Sequence, residues 1–350
     1  MRHGVFGSVM AVAIVMAVLS LAPQPAIAGL RSSSFVQARR SVAKAADQPP
    51  PRLRRSAEVS TKVDASGQGA QAPLAEPTSL GGCPAPIQAF HKCALEKAKT
   101  FNPPRTPGGR PDLQGYWRSR LTTAFSVEGV SENDPITRDP ITPWTAGLGE
   151  IVDPPDRKIP YQPWAAQIGR RGQNFQKYID PRTACGSGGV PRVVHQGPHQ
   201  LLQREDYVVW LFEDHHVYRS IPITGGPHIG KDIKLWHGDA VGRWEGNTLV
   251  VDVTNVNGYN WLDDAGNFHT DAAHLIERLT MIDPDTIHYE ITVEDSKAYT
   301  RPWKMAWPLV REKEPRFQLI EEACWEGERD LPRFLELGNR YYFGEPWRSR

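Results

Sequence analysis

The chain of 350 residues lacks several features that would place it in a specialised class of protein. No stretch reaches the roughly 18–20 consecutive apolar residues that cross a bilayer as a helix, so we expect no stable membrane span. Neither sign of charge is in excess, because 41 basic and 40 acidic side chains give a formal net charge of +1. We therefore expect no nucleic-acid partner.

The sequence also lacks the short motifs of the large enzyme classes. It contains no G-x-S-x-G of serine hydrolases, no H-E-x-x-H of zinc proteases, no phosphate-binding P-loop, and no G-x-G-x-x-G after a strand. Cysteine is scarce, and its four positions do not have the paired C-x-x-C spacing of structural zinc sites. We accordingly assign no cofactor and no metal ligands from motifs.

The N-terminus has the pattern of an export signal. Arg2 supplies a positive charge, Val9–Leu19 is an unbroken apolar run, and Ala26-Ile27-Ala28 fits a small-residue cleavage site. We predict that residues 1–28 are a signal peptide and that the protein is exported, to the periplasm or outside the cell. Residues 29–80 are rich in Ser, Ala, Gln and Pro and lack Trp and Tyr, which predicts a disordered linker.

Export permits disulfide bonds, and the four cysteines allow three pairings. A bond between Cys83 and Cys93 would close a short local loop and leave Cys185–Cys324 as a long-range bridge. We predict that residues 81–111 form a cysteine-stapled, extended and helical lead-in, with a helix around 87–99. Residues 112–340 form the main domain, in which 160–178 has helical spacing.

The main domain has the pattern of an antiparallel β structure. Turn signatures such as Gly246-Asn247 and Asp283-Pro284-Asp285-Thr286 recur every 8–15 residues, and no helix is long enough for a βαβ crossover. We predict a mainly β fold, an antiparallel barrel or sandwich with a short helical N-terminal extension. The predicted strands include residues 206–213, 216–223, 249–254, 273–281, 287–293, 303–310 and 317–325.

The main domain contains several distinctive motifs: GRWEGNTLVVD at 242–252, WLD at 261–263 followed by Gly266, His269 and HLIER at 274–278, AYTRPW at 298–303, Cys185 followed by VPR at 190–192, and Cys324. These motifs resemble a signature of a large group of uncharacterised secreted bacterial proteins. The likeness runs from about residue 112 to 330, and it implies an exported domain with a lipocalin-like or calycin-like barrel. It also supports a bridge between Cys185 and Cys324, and it implies no particular reaction.

Histidine is distributed unevenly, since nine of the eleven lie between positions 195 and 288. Histidine is the usual acid–base group at neutral pH and a common metal ligand. Alternation along the 273–281 strand places His274 and Arg278 on one face and Glu277 with its apolar neighbours on the other. If the Glu277 face is the barrel exterior, His274 and Arg278 point into a cavity.

In that arrangement a neutral His274 with a lowered pKa is the candidate base. Arg278 is the candidate oxyanion or carboxylate partner, and His269 or Asp263 is the candidate acid. Each of these residues also has a possible structural role. Asp252 or Glu290 could pair with His274 and Arg278 in a buried polar network, and Asp263 could stabilise a turn. A metal site built from separate strands by His228, His269 and His274 has no spacing signature, and the adjacent His215 and His216 would point to opposite faces of a strand.

Eleven tryptophans and these histidines predict a cavity for a small amphipathic or aromatic molecule. Three functions remain open: a cofactor-free acid–base enzyme of the lyase, isomerase or hydrolase type, a non-catalytic carrier or envelope interaction protein, and a metal-dependent enzyme. The candidate ligand contacts are His228, Trp244, Trp261, Glu277 and Trp303.

Overall fold

The computed structural model describes residues 80–120, 122, 126–129, 149–169, 173–195, 197–327 and 330–348. The predicted signal peptide and, except for its last residue, the predicted linker lie outside this part of the chain. Among the described residues, no helix has both the length and the apolar character needed to cross a membrane.

Nine antiparallel strands form a nearly closed, barrel-like sheet, which confirms the predicted fold class. These strands are β1 (Gly115–Ser119), β4 (Pro198–Gln203), β5 (Tyr207–Phe212), β6 (Tyr218–Pro222), β7 (Asp239–Glu245), β8 (Thr248–Thr254), β9 (His274–Asp283), β10 (Thr286–Glu294) and β11 (Trp303–Arg311). Their order around the barrel is β6-β5-β4-β1-β11-β10-β9-β8-β7, and β2 (Ile151–Asp153) adds to β11 off this path. A separate two-stranded sheet joins β3 (Tyr178–Ile179) to β12 (Arg340–Tyr341).

The barrel closes where β6 and β7 face each other. The Gly225 N–H donates to the Gly242 carbonyl across this seam at 3.3 Å. A Cβ atom at Gly242 would lie 2.5 Å from the Ile223 side chain, so the glycine permits the close approach of the two strands. The seam therefore closes by packing, without a continuous hydrogen-bonded ladder.

The two ends of the barrel differ in their connections. The tight turns at Gly246-Asn247 and Pro284-Asp285 lie at one end, which we call the turn end. At the other end, the pairing of His274 with Glu294 and of Asp239 with Thr254 brings together strand ends that are joined by long segments. We call this the capped end, and residues 178–195, 255–273 and 295–302 lie over it.

The helices are short except for the first. Helix α1 (Ile87–Thr100) packs on the outside of β9 and β11 through Ile87, Phe90 and Ala94, and it corresponds to the helix predicted around 87–99. The segment with helical spacing at 160–178 contains the next two helices. The remaining helices are α2 (Pro163–Ile168), α3 (Gln173–Lys177), α4 (Arg192–His195), α5 (Cys324–Gly327), α6 (Leu331–Glu336) and α7 (Glu345–Arg348).

One predicted strand is wrong. Residues 317–323 have no regular secondary structure, and α5 begins at Cys324. Ile320 and Trp325 are exposed, at 66% and 70% of their full accessibility, and Phe317 and Leu319 are only half-buried. The segment therefore buries no continuous apolar face against the sheet.

Both predicted disulfides are present. Cys83–Cys93 ties the segment before α1 to the helix, and Cys185–Cys324 joins residues 139 positions apart. The second bond fastens the C-terminal segment to the capped end. Since unfolded chains lose more freedom when a longer loop is closed, the long-range bond has the larger stabilising effect in the chain-entropy view.

Candidate functional site

Strand β9 has the opposite orientation to the one that would place His274 and Arg278 in a cavity. Leu275, Glu277 and Leu279 are fully buried and face the barrel interior. His274 and Arg278 lie on the outer face, with 34% and 36% of their side chains exposed. The expected cavity position of these two residues is wrong, because the strongly apolar face of the strand goes inward and carries Glu277 with it.

Inside the barrel, Glu277 forms an ion pair with Arg219 of β6. Arg219 Nη1 donates to Glu277 Oε1 at 2.9 Å, and Nη2 donates to Oε2 in a bidentate arrangement. The Tyr289 hydroxyl donates to the same Oε1 at 2.7 Å. Burial, together with the Glu277 carboxylate, raises the pKa of Tyr289 well above its ordinary value, so the hydroxyl remains a donor.

Aromatic rings and histidines surround this ion pair. The Arg219 guanidinium lies 5.6 Å from the Trp210 ring centroid, and the Tyr289 and Trp307 centroids are 4.6 Å apart. His195 of α4 packs edge-on to Trp307 at 4.4 Å, and His199 of β4 contacts Trp210 at 5.4 Å. We call these residues with Glu277 the inner cluster.

The histidines of the inner cluster are neutral at physiological pH. Burial lowers the pKa of His195 and of His199 to about 3, and the nearby charges of Arg192 and Arg118 act in the same direction. Neither imidazole has a hydrogen-bond partner among the described residues. The buried atoms without such a partner in and beside the inner cluster are both ring nitrogens of His195 and of His199, Trp210 Nε1, Arg219 Nε, His237 Nδ1 and Trp307 Nε1.

A serine–histidine pair lies at the capped end. Ser187 Oγ is 2.7 Å from His237 Nε2, and the Gly189 N–H donates to the same oxygen at 3.2 Å. Burial lowers the pKa of His237 to about 3, and the positive charge of Arg219 adds to this effect. His237 therefore contacts Ser187 and also lies close enough to Arg219 of the inner cluster for that charge to disfavour its protonated form.

A cavity of about 380 Å³ opens at the capped end, beside the Cys185–Cys324 bond. Carboxylates and guanidinium groups pair at its wall: the buried Arg192 contacts the wall residues Asp180 and Asp264, and Arg182 of the wall contacts the buried Asp214. This volume falls within the roughly 300–1,000 Å³ of small-molecule sites. The residues that line it are Tyr178, Ile179, Asp180, Arg182, Thr183, His215, Asp264, Glu322, Cys324 and Phe334.

Asp263 and His269, the candidate acids, lie in buried loops of the capped end. Asp263 Oδ2 accepts hydrogen bonds from Val127 N at 2.9 Å and Asn267 Nδ2 at 2.7 Å, and Oδ1 accepts one from Asn267 N at 3.0 Å. Burial raises the pKa of Asp263 to about 7. His269 Nδ1 donates to the Thr270 carbonyl at 3.0 Å. These contacts stabilise turns, and a catalytic role for either residue stays a prediction.

His228 and His274 belong to a chain of alternating acids and bases on the outer face. His228 bridges Asp239 and Asp252 at 2.8 and 2.9 Å, and His274 bridges Asp252 and Glu294 at 3.0 Å each. We call these five residues the outer row. The pairing of Asp252 with His274 is thus observed, but on the partly exposed outer face and not in a buried network. Arg278 pairs with Glu245 at 2.9 Å and not with Glu290.

The predicted ligand contacts are not gathered in one place. Glu277 and Trp303 lie on the inner face of the barrel and are fully buried. Trp261 is also fully buried, but it packs against Tyr342 in the cap at 5.6 Å between ring centroids. Trp244 is half-buried near the turn end, and His228 is in the outer row.

Sequence reasoning missed Arg219, although a signal was present. Arg219 lies on the same face of β6 as the buried Ile221, two residues away, and Glu277 lies on the same face of β9 as its buried leucines. A charged side chain in the apolar phase of each of two strands predicts a buried ion pair, since an unpaired charge there is very costly. Ser187 and His237 are fifty residues apart, and no spacing rule connects them.

Comparison with known proteins adds no further constraint. No protein-family model matches the chain, and no curated protein or solved structure shows significant similarity to it. The function is therefore inferred from the chemistry of the capped end and the inner cluster.

Proposed function

We propose that this barrel-like protein is exported and binds a small amphipathic molecule, ring-shaped and rich in oxygen acceptors, at the capped end. The observation that carries this proposal is the set of buried hydrogen-bonding atoms on aromatic and histidine side chains that have no protein partner. A buried polar atom left without a partner costs roughly 1–3 kcal/mol. A bound molecule that supplies partners recovers this energy on binding.

The unpartnered atoms define the chemistry of the ligand. Trp210 Nε1, Trp307 Nε1 and Arg219 Nε can only donate, so they suit carbonyl, hydroxyl, ether or carboxylate oxygens. The flanking indole and phenol rings suit an aromatic or other flat ring. Because Arg219 is already neutralised by Glu277, the site does not select strongly for net charge. We further propose the 380 Å³ cavity at the same end of the barrel as the entrance for a molecule of one or two rings.

The first test is native mass spectrometry of the full chain isolated from its own cells, to detect a co-purifying small molecule. Binding is then measured calorimetrically with a panel of single-ring oxygen compounds: benzoate, 4-hydroxybenzoate and catechol. We expect Trp307→Phe, which keeps a ring and removes the N–H, to weaken the best binder about 2–12-fold, the value of one neutral hydrogen bond. Trp325→Phe is the matched control, since Trp325 is 70% exposed.

The same variant gives an internal check without any ligand. Removal of an unpartnered donor leaves the free energy of unfolding of the ligand-free protein unchanged or slightly higher. If Trp307→Phe instead destabilises the free protein and leaves the affinities unchanged, Trp307 is a packing residue and the proposed ligand site is wrong.

A catalytic function is the second candidate, favoured by the Ser187–His237 contact of 2.7 Å beside the proposed site. A neutral imidazole next to a hydroxyl can move a proton to or from a bound substrate, as acid–base enzymes of the lyase, isomerase or hydrolase type require. We expect His237→Gln to abolish turnover of the bound molecule while the affinity changes less than threefold. A bound molecule that is recovered chemically unchanged from the wild-type protein supports the carrier function instead.

A further inference from the structure

We propose that Asp214, His215 and Glu322 form a binding site for a divalent transition metal beside the 380 Å³ cavity, whose wall includes His215 and Glu322. His215 Nδ1 lies 3.1 Å from Asp214 Oδ1 and 3.5 Å from Glu322 Oε2. Metal bonds of about 2.0–2.2 Å place neighbouring ligand atoms roughly 3.0–3.6 Å apart in octahedral and tetrahedral sites. Both distances lie in this range, and the ligand atoms of all three side chains lie within 4.8 Å of one another.

The local backbone explains why adjacent residues can serve as ligands here. Asp214–His216 is a 3₁₀ turn between β5 and β6, and His215 has a φ of +55°, in the left-handed region. On a strand, Asp214 and His215 would point to opposite faces. The turn instead brings both side chains within ligand distance of Glu322, with His215 on the cavity wall and Asp214 buried.

The third ligand is held in place from the C-terminal segment. Glu322 Oε2 accepts a hydrogen bond from the His215 N–H at 2.6 Å, and the Ile320 N–H donates to Glu213 at 2.9 Å. The Cys185–Cys324 bond fixes the chain two residues beyond Glu322. A preformed ligand position reduces the ordering cost of binding an ion.

Two further observations point to a cation. Asp214 is only 6% exposed, yet its Oδ2 atom has no hydrogen-bond partner among the described residues. The cavity wall also carries Asp180 and Asp264, so four carboxylates face the guanidinium groups of Arg182 and Arg192. The local excess of negative charge favours a cation, and a mixed oxygen–imidazole ligand set suits zinc, iron or manganese.

A second group with metal-ligand spacing, formed by His91, His288 and Glu290, is less suitable. Glu290 Oε1 pairs with the Lys304 ammonium at 3.0 Å, as Asp214 Oδ1 pairs with Arg182, so a neighbouring cation does not separate the two groups. His91 Nδ1 and His288 Nε2 are already 3.0 Å apart in a hydrogen bond under α1. We use this group as the internal comparison.

The test uses the full chain, freed of metal with a chelator and titrated with zinc chloride by isothermal calorimetry. We expect one equivalent of zinc to bind with micromolar or tighter affinity. We also expect Glu322→Gln and His215→Asn to weaken the affinity at least tenfold. Asn is chosen at position 215 because it tolerates the left-handed conformation.

The controls change the neighbouring side chains. Glu321→Gln and His216→Asn remove an exposed pair one residue from the ligands, and the zinc affinity should stay within twofold. His91→Gln should also leave the zinc affinity unchanged. Loss of zinc binding in that variant would show that zinc binds at the comparison group and not at the proposed site. Absence of binding, or binding unaltered by both ligand substitutions, would overturn the proposal. Unchanged circular dichroism of Glu322→Gln shows that the variant is folded.

Discussion

The inner cluster and the outer row use similar side chains on opposite faces of the same barrel wall. Inside, Arg219 and Glu277 are 2% and 0% exposed, and burial keeps the histidines His195 and His199 neutral. Outside, the acids and histidines of the row are 21–41% exposed. There the carboxylates favour the charged form of His274 and raise its pKa, although burial alone would lower it.

The comparison shows that a histidine's charge state in this protein depends on whether it lies inside the barrel or on its outer face. A neutral buried imidazole offers one donor and one acceptor to a ligand. A charged imidazole between exposed carboxylates is screened by water and salt and contributes little binding energy. The predictions below test this difference.

The largest expected effect is the loss of one partner of the inner ion pair. Glu277→Gln leaves the Arg219 guanidinium buried without a counter-charge, which should lower the free energy of unfolding by about 3–5 kcal/mol. In the outer row, Glu294→Gln should change it by less than about 1 kcal/mol. Urea denaturation of both variants measures the difference.

The double variant Arg219→Met/Glu277→Leu separates a buried charge from lost packing. Apolar replacement of a buried ion pair is often neutral or stabilising, so the double variant should be more stable than Glu277→Gln alone. Equal stability of the two variants would show that the carboxylate is not acting as the counter-charge of Arg219.

A second expected difference is the response of the inner histidines to acid. Burial lowers the pKa of His199 to about 3 in the native protein. In the unfolded chain this histidine binds a proton near pH 6.5, whereas in the native protein it stays neutral until the pH is much lower. The stability therefore falls as the pH falls from about 6.5 toward 3. His199→Gln should make this fall shallower by up to about 1.4 kcal/mol per pH unit. Urea midpoints at pH 7, 6, 5 and 4 test this, and an unchanged slope would contradict a buried neutral His199.

Much of the barrel was predictable from sequence, because alternation is a local property. In the predicted strand 287–293, Ile287, Tyr289, Ile291 and Val293 alternate with polar residues, and all four are buried in the interior. Alternation does not say which face is inside, and that single ambiguity placed His274 in a cavity. The direction is set by closure of the whole barrel.

The proposed metal ligands and the serine–histidine pair were beyond sequence reasoning for a different reason. Glu322 meets His215 across 107 residues, and it does so from a segment that was predicted to be a strand. The His215 side chain also depends on a left-handed turn that a non-glycine residue rarely adopts. Contacts made by irregular segments of this kind are not marked by any periodic pattern of apolar and polar residues in the sequence.

In the outer row the response to pH should have the opposite sign. Asp252 and Glu294 hold the pKa of His274 above its ordinary value despite partial burial. The stability that His274 adds is therefore fully present below about pH 6.5 and is lost as the pH rises through the raised native pKa. His274→Asn should cost up to about 1 kcal/mol at pH 6 and nothing at pH 9. A constant cost at both pH values would show that the side chain acts through packing.

The smallest expected effect is that of Arg278, the residue that alternation alone paired with His274 as a catalytic partner. Its contact with Glu245 joins two side chains that are 36% and 41% exposed, and such pairs contribute about 0–1 kcal/mol. Arg278→Gln should therefore shift the urea midpoint only slightly, and 0.5 M sodium chloride should remove the shift because salt screens exposed charges. The same salt should leave the cost of Glu277→Gln almost unchanged, since water and ions do not reach a buried pair. A salt-resistant loss of more than 2 kcal/mol in Arg278→Gln would contradict the assignment of Arg278 to the exposed face.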